Sequence, residues 1–331
     1  MEFKESLGID VSKKTIDVML HCKKLHRQFK NTTKGFNNLI RWAEKQTGIK
    51  MPQIIICFEH TGIYSLPLAT YLYERQLIFS MVPAIEIKRS MGLVRGKNDA
   101  VDAERIAEYA YLRRGQIKPY NLPSKNILQL QKILTLRDKM VKQRAGYKSD
   151  LKETKTMLKS SDYELFFSTQ KKMIHYFDKQ ITRLDEQIIQ IIKDDEAMNK
   201  IHTLITSVRG IGVIISANFI VLTNCFTDFN DSRKFACYSG IAPFEKQSGT
   251  SLNSKSRVSH FANKKMKSLL NMAAFSAIQS DPELRMYYLK RVEEGKSKMS
   301  TINIVRNKIV HRVFAVVKRG TPYVVLQNHA A

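Results

Sequence analysis

The feature that most limits how this chain can fold is a pair of short apolar runs that each end on an acid, Leu7-Gly8-Ile9-Asp10 and Ile54-Ile55-Ile56-Cys57-Phe58-Glu59. Runs of this length, rich in β-branched residues, read as buried strands, which belong to a sheet flanked by helices. An unpaired carboxylate in such a place costs several kcal/mol or takes up a proton. The fold must therefore cap each acid with a turn or let the acids share a cation. A further pair, Asp99 and Asp102 in Lys97-Asn98-Asp99-Ala100-Val101-Asp102, stands three apart on one helix face. Asn98 is a good N-cap, and acids in a first helical turn complement the helix dipole, so capping alone accounts for that pair but not for the whole pattern. Four carboxylates converging at one end of a sheet would suit a hard divalent ion, which takes oxygen ligands and keeps several waters. Asp17 and Glu104 are set aside, Asp17 because its strand face should reach solvent.

The first 122 residues alternate between strand-type and helix-type patterns, which predicts an α/β domain. Lys4 to Val11, Thr15 to Leu20 and Leu25 to Asn31 read as antiparallel strands, followed by a helix through Phe36, Leu39, Ile40 and Ala43. The strand at 54–58, a helix over 64–75, a strand over 77–82 and the helix after Asn98 complete an order matching a ribonuclease H-like domain. Pro119 and Pro123 close it. Residues 123–203 read as extended helix. Phe177, Ile181, Leu184, Ile188 and Ile191 alternate spacings of four and three, and Ile127, Leu130, Leu134 and Val141 begin a similar stripe. A helical hairpin and a dimerising coiled coil fit this seam equally.

Charge favours nucleic acid as the partner, although a ribosomal or anionic-membrane role shares the same balance. The 331 residues carry 55 Lys and Arg against 30 Asp and Glu, a formal charge of +25, which calls for a polyanion. Between Ser251 and Gly320 fifteen basic residues face four acidic ones, enough for a phosphate-binding face. In that segment Met266, Leu269, Leu270, Ala273 and Phe275 mark one amphipathic helix. Ile302, Val305, Ile309, Val313 and Val316 mark another, with Arg306, Lys308 and Arg312 on its opposite side. Cys22, Cys57, Cys225 and Cys237 form no C-x-x-C pair, so neither a disulfide framework nor a zinc ribbon is expected, and a reducing cytosol fits. With no signal-type apolar core and no apolar run of about 20 residues, the chain is expected to be neither exported nor membrane-spanning.

Two further motifs bear on DNA. Ser207-Val208-Arg209-Gly210-Ile211-Gly212-Val213 before an apolar helix resembles a helix-hairpin-helix element, in which backbone N–H groups grip a phosphate. On that reading Arg209, Gly210 and Gly212 touch nucleic acid; a tight glycine turn packing two helices is the plain alternative. Tyr238-Ser239-Gly240-Ile241-Ala242-Pro243 leads into a serine-rich basic loop with Ser248 and Ser251, followed by Lys255, Arg257, Lys264 and Lys265. A hydroxyl there could attack a phosphate, with the cations easing the step. An actin-like sugar kinase also opens on a Gly-Ile-Asp strand, but no Gly-rich phosphate loop follows.

Taken in order, Gly8-Ile9-Asp10-Val11-Ser12-Lys13, Glu59-x-Thr61-Gly62, Lys97-Asn98-Asp99-Ala100-x-Asp102-Ala103 and Gly240-Ile241-x-Pro243 through Ser248-Gly249 resemble the DEDD transposases of the insertion-sequence family numbered one hundred and ten, related to the Piv DNA invertase. The likeness runs nearly end to end. It implies a RuvC-like DEDD domain over 1–122, a helical coiled-coil linker over 123–203 and a mainly helical C-terminal transposase domain over 204–331. It also implies Mg²⁺ (or Mn²⁺) on Asp10, Glu59, Asp99 and Asp102, and Ser248 as a nucleophile forming a phosphoserine link. The implied partners are donor and target DNA, a bridge RNA encoded by the element, and further copies of the chain in a homodimer or homotetramer in the bacterial cytoplasm, at the nucleoid. The chain departs from the pattern at His60 and at Ser239, the second placing a rival hydroxyl beside the loop. A RuvC-type junction nuclease using water, and a binding protein whose acids are only caps, are the alternatives.

Overall fold

The computed structural model describes residues 3–90, 98–159, 161–248, 252–258 and 261–324, and the chain divides into two compact units, 1–122 and 123–331. In the first, β1 (Glu5–Val11), β2 (Thr15–Leu20) and β3 (Leu25–Lys30) are followed by α1 (Thr33–Thr47), β4 (Ile54–Glu59), α2 (Leu66–Glu74), β5 (Phe79–Val82), α3 (Ala84–Ser90) and α4 (Asp99–Leu112). The sheet order is β3-β2-β1-β4-β5, antiparallel among the first three strands and parallel from β1 through β4 to β5. The expected succession of elements is present. Helix α3, which the sequence pattern did not suggest, adds a short turn of structure after β5.

Both faces of the sheet are covered, which is why its central strands read as unbroken apolar runs. On one face Leu7, Ile9, Ile16, Val18, Ile56 and Phe58 pack against Phe36 and Leu39 of α1 and Leu68 and Leu72 of α2. On the other, Ile55 and Cys57 meet Ile106 and Ala110 of α4, while Met19 meets Ala103 and Ala107. Helix α4 crosses β1 at Gly8. A Cβ there would lie 2.1 Å from the Ala107 nitrogen and 2.4 Å from the Ala103 oxygen, so only glycine permits this approach. The Ser6 hydroxyl donates to the Ala107 carbonyl at 2.7 Å and fixes the crossing.

The second unit begins with α5 (Lys125–Met157) and α6 (Glu164–Lys193) and continues through α7 (Glu196–Thr206), α8 (Val213–Thr223), α9 (Ser232–Tyr238), β6 (Pro243–Ser248), β7 (Leu252–Val258), α10 (Lys264–Ser280), α11 (Pro282–Glu293) and α12 (Lys298–Arg319). The heptad-like stripes of α5 and α6 face each other within the chain. Tyr147 lies 5.7 Å from Phe177 between ring centres, and Arg144 pairs with Asp178 at 2.6 Å. The base of this hairpin is not a free spacer. Ile127, Leu130, Ile188 and Ile191 join Leu204, Phe219, Phe235, Leu270, Val305 and Ile309 in one core. The separate middle segment expected over 123–203 therefore belongs with the C-terminal helices, because the apolar ends of α5 and α6 are buried by them.

Within that unit Met266, Leu270 and Ala273 are buried as expected, whereas Phe275 is exposed. On α12 the expected basic face is largely engaged inside the protein. Arg306 is buried, Arg312 pairs with Asp281 and Glu283 at 2.6 Å each, and Lys308 sits 4.4 Å from the Tyr287 ring.

Candidate active site

Parallel pairing of β1 with β4 sets the first two acids side by side. Ile9 is in register with Phe58, so Asp10 and Glu59, each one residue further on, stand next to each other toward the ends of their strands. This is the edge at which α/β sheets usually bind ligands. The close crossing at Gly8 then brings the N-terminus of α4 to the same place. Asn98 caps that helix by accepting from the Val101 N–H at 2.8 Å, leaving Asp99 and Asp102 in its first turn.

Asp10 is pushed up from its ordinary value of 3.8 to about 6, chiefly by burial and then by the negative charges of Asp99, Asp102, Glu59 and Asp17. Asp102 is partly neutralised by Arg105, 2.9 Å away and one turn further along α4. Asp99 is exposed.

Asp17 corrects an expectation. It is buried, stands directly across the β1–β2 pair from Asp10, and is held by Gln28 Nε2 at 3.0 Å and His26 Nε2 at 2.9 Å. Its strand face is covered because α4 packs there, so the side chain meets β3 partners instead of solvent. The sequence offered a usable signal, since Asp10 and Asp17 are each three residues from the Lys13–Lys14 turn and must share a face. Thr61, in the segment following Glu59, has a buried hydroxyl with no hydrogen-bond partner.

In the second unit, β6 and β7 form a two-stranded hairpin in which Ser248 ends β6 opposite Leu252, the first residue of β7. Lys255 and Arg257 lie on β7. Gly249 and Ser251 lie outside the described residues. Ser239, at the C-terminus of α9, is fully buried and its hydroxyl is unpartnered. Amides anchor the hairpin at its base. Asn303 and Asn307 of α12 donate to the Ile241 carbonyl at 2.7 and 3.0 Å, and Asn263 donates through its backbone to the Tyr238 carbonyl at 2.8 Å. No sequence pattern pointed to these asparagines.

The turn between α7 and α8 divides the expected phosphate-gripping residues. Gly210 has φ +89°, and a Cβ would lie 2.4 Å from the Ala273 oxygen of α10. It is therefore a packing glycine. Arg209 and Gly212 are exposed, Gly212 at the N-terminus of α8. Lys264 is exposed, while Lys265 forms an ion pair with Asp138 of α5.

Both units match known protein families. Residues 7–159, which hold all four acids, match a transposase model of the DEDD IS110 type, and residues 202–289, which hold the hairpin, match the transposase IS116/IS110/IS902 family. The chain belongs to the IS110 family of transposases. It is thus a DNA recombinase, and the transposase is 26% identical over 326 residues to the pilin gene-inverting protein of Moraxella lacunata, covering 97% of this chain and 98% of that one. It is 28% identical over 146 residues to an insertion element IS110 uncharacterized 43.6 kDa protein of Streptomyces coelicolor, covering 43% of this chain and 36% of that one. A T. thermophilus RuvC chain, solved in complex with a Holliday junction substrate, matches 35% of the transposase and 99% of its own length at 10% identity, with a TM-score of 0.25. Among the described residues no helix is long and apolar enough to cross a membrane.

Proposed function

We propose that this transposase cuts and rejoins donor and target DNA using Ser248 as nucleophile and Mg²⁺ (or Mn²⁺) held by Asp10, Glu59, Asp99 and Asp102. The observation that carries the reading is the crowding around Asp10, whose carboxyl is raised to about 6 by burial and by its acidic neighbours. A divalent cation relieves that repulsion, and an all-carboxylate set of oxygen donors suits a hard ion. Among the described residues no three His, Cys, Asp or Glu side chains are gathered closely enough to hold an ion alone. Waters and phosphate oxygens would complete the set of donors that Mg²⁺ usually requires. When bound, the ion supplies charge stabilisation to the phosphate under attack.

The protein's own groups do the rest. Ser248 Oγ bonds to phosphorus as the bond to the departing sugar oxygen breaks, its proton passing through water to that oxygen, which leaves as a hydroxyl from a phosphoserine; attack by the incoming strand's hydroxyl, with its proton returned to the serine oxygen, reverses the step and frees the serine. Arg105 holds Asp102 in place. Arg209, Gly212, Lys255, Arg257 and Lys264 contact the nucleic acids, with Lys265 joining them by leaving Asp138. A bridge RNA encoded by the element pairs with both DNAs and chooses the sites, and the basic excess of the chain serves both polymers. The working form is a homodimer or homotetramer at the bacterial nucleoid, in the cytoplasm.

The test incubates the protein, its element-derived RNA and labelled donor and target DNA with Mg²⁺, then looks for a denaturation-resistant protein–DNA adduct. Ser248→Ala is expected to lose the adduct. Asp102→Ala is expected to bind nucleic acid nearly as wild type and to lose recombination. Strand cleavage with no adduct would instead make the enzyme a RuvC-type nuclease using water.

A further inference from the structure

A groove of about 640 Å³ opens between β3 and α1, on the sheet face opposite α4 and the carboxylates. Five cations line it: Arg27 and Lys30 from β3, and Lys34, Arg41 and Lys45 from α1. No acidic residue does. All five are exposed, and among the described residues none makes an ion pair. The one acid of α1, Glu44, is turned away, accepting from the Met51 N–H at 3.2 Å and lying 4.0 Å from Lys50.

The spacing on α1 is directional. Lys34, Arg41 and Lys45 stand at i, i+7 and i+11, hence on one face, over about 16 Å of helix axis. Across such a length duplex DNA presents roughly nine negative charges. β3 is the outer strand of the sheet, and charge on an edge strand can serve only to deter pairing with another chain. That purpose does not require a second row of cations on α1 converging on the same groove. The aromatic residues of the groove, Phe29 and Trp42, are 8% and 9% exposed and packed as its floor, so no ring is free to stack an unpaired base. The chemistry offered is therefore attraction to a phosphate backbone, without base reading.

We infer that this groove is a second DNA-binding surface, which holds the backbone of duplex DNA away from the reacting phosphate. β3 lies two strands from β1, and the groove is across the sheet from Asp10, so the DNA it grips is not the phosphate being cut. The surface would hold a flanking arm during strand exchange. It would do so whether serine or water is the nucleophile.

The test measures binding of the full-length protein to duplex DNA of unrelated sequence, in EDTA, over a range of salt. Lys34→Glu with Arg41→Glu is expected to weaken binding roughly tenfold or more at low salt and to flatten the log–log salt slope by about 0.9 for each phosphate no longer neutralised. Lys34→Gln with Arg41→Gln should move both in the same direction by less, which separates removal of charge from misfolding. Lys23→Glu with Lys118→Glu, exposed and outside the groove, carries the same change of charge and should leave the slope unchanged. Equal effects from the two glutamate pairs would overturn the inference. So would a weakening seen with duplex RNA but absent with duplex DNA.

Discussion

Asp10 illustrates how much a single side chain can reveal. Its folded value of about 6 lies above its ordinary 3.8, so the folded state holds the proton more tightly than the unfolded chain. Stability contributed by the protonated form is therefore present below about pH 4 and is lost as pH rises through 6, at most about 3 kcal/mol without a cation and less once solvent screens this half-buried carboxyl. Asp10→Asn is expected to be more stable than wild type at pH 7.5 in EDTA and to lose that advantage near pH 4, as read from denaturant midpoints. Mg²⁺ should narrow the difference at pH 7.5. Equal midpoints at both pH values would mean that the carboxylates do not crowd Asp10. Asp10 and Glu59 stood out in the sequence because charged residues at the ends of buried strands are conspicuous. Asp17 was misread because period-two alternation says which residues share a face but not which face a later helix covers.

At the scale of elements, the crossing of α4 over β1 sets the site. Gly8, Ala103 and Ala107 allow the helix backbone to approach the strand, and the first turn of α4 then lies near Asp10 and Glu59. Gly8→Ala would force the two apart, at a cost of about 1–3 kcal/mol from overpacking. It should abolish recombination while leaving the four acids intact and the fold cooperative. Normal strand exchange by a folded Gly8→Ala protein would show that the position of α4 does not govern the chemistry. Helix α12 teaches the reverse lesson. Its sequence reads as a basic face, yet Arg312 closes a buried pair with Asp281, the acid that also caps α11 by accepting from the Leu284 N–H at 3.1 Å. Charge counted along a sequence cannot distinguish cations that face DNA from cations that hold helices together.

At the scale of the whole molecule, the chain is two units, each with its own hydrophobic core. A fragment spanning residues 1–122 is expected to fold alone and melt in one cooperative transition by circular dichroism; a fragment that stays unfolded would mean that its core needs the second unit. The succession of strands and helices in the first unit and the likeness to a DNA recombinase could be read from the residues, because strand and helix periodicities and short motifs are local signals. Folding decided which way the helical stripes of α5 and α6 turned: toward each other and, at their base, into the C-terminal core. A heptad seam has the same appearance whether its partner lies in the same chain or in another. Folding also buried Ser239 and Arg306, packed Gly210 against α10, and gathered Lys34, Arg41 and Lys45 beside Arg27 and Lys30. Each of these depends on residues distant in sequence, and burial and charge pairing are properties of the neighbours that packing supplies.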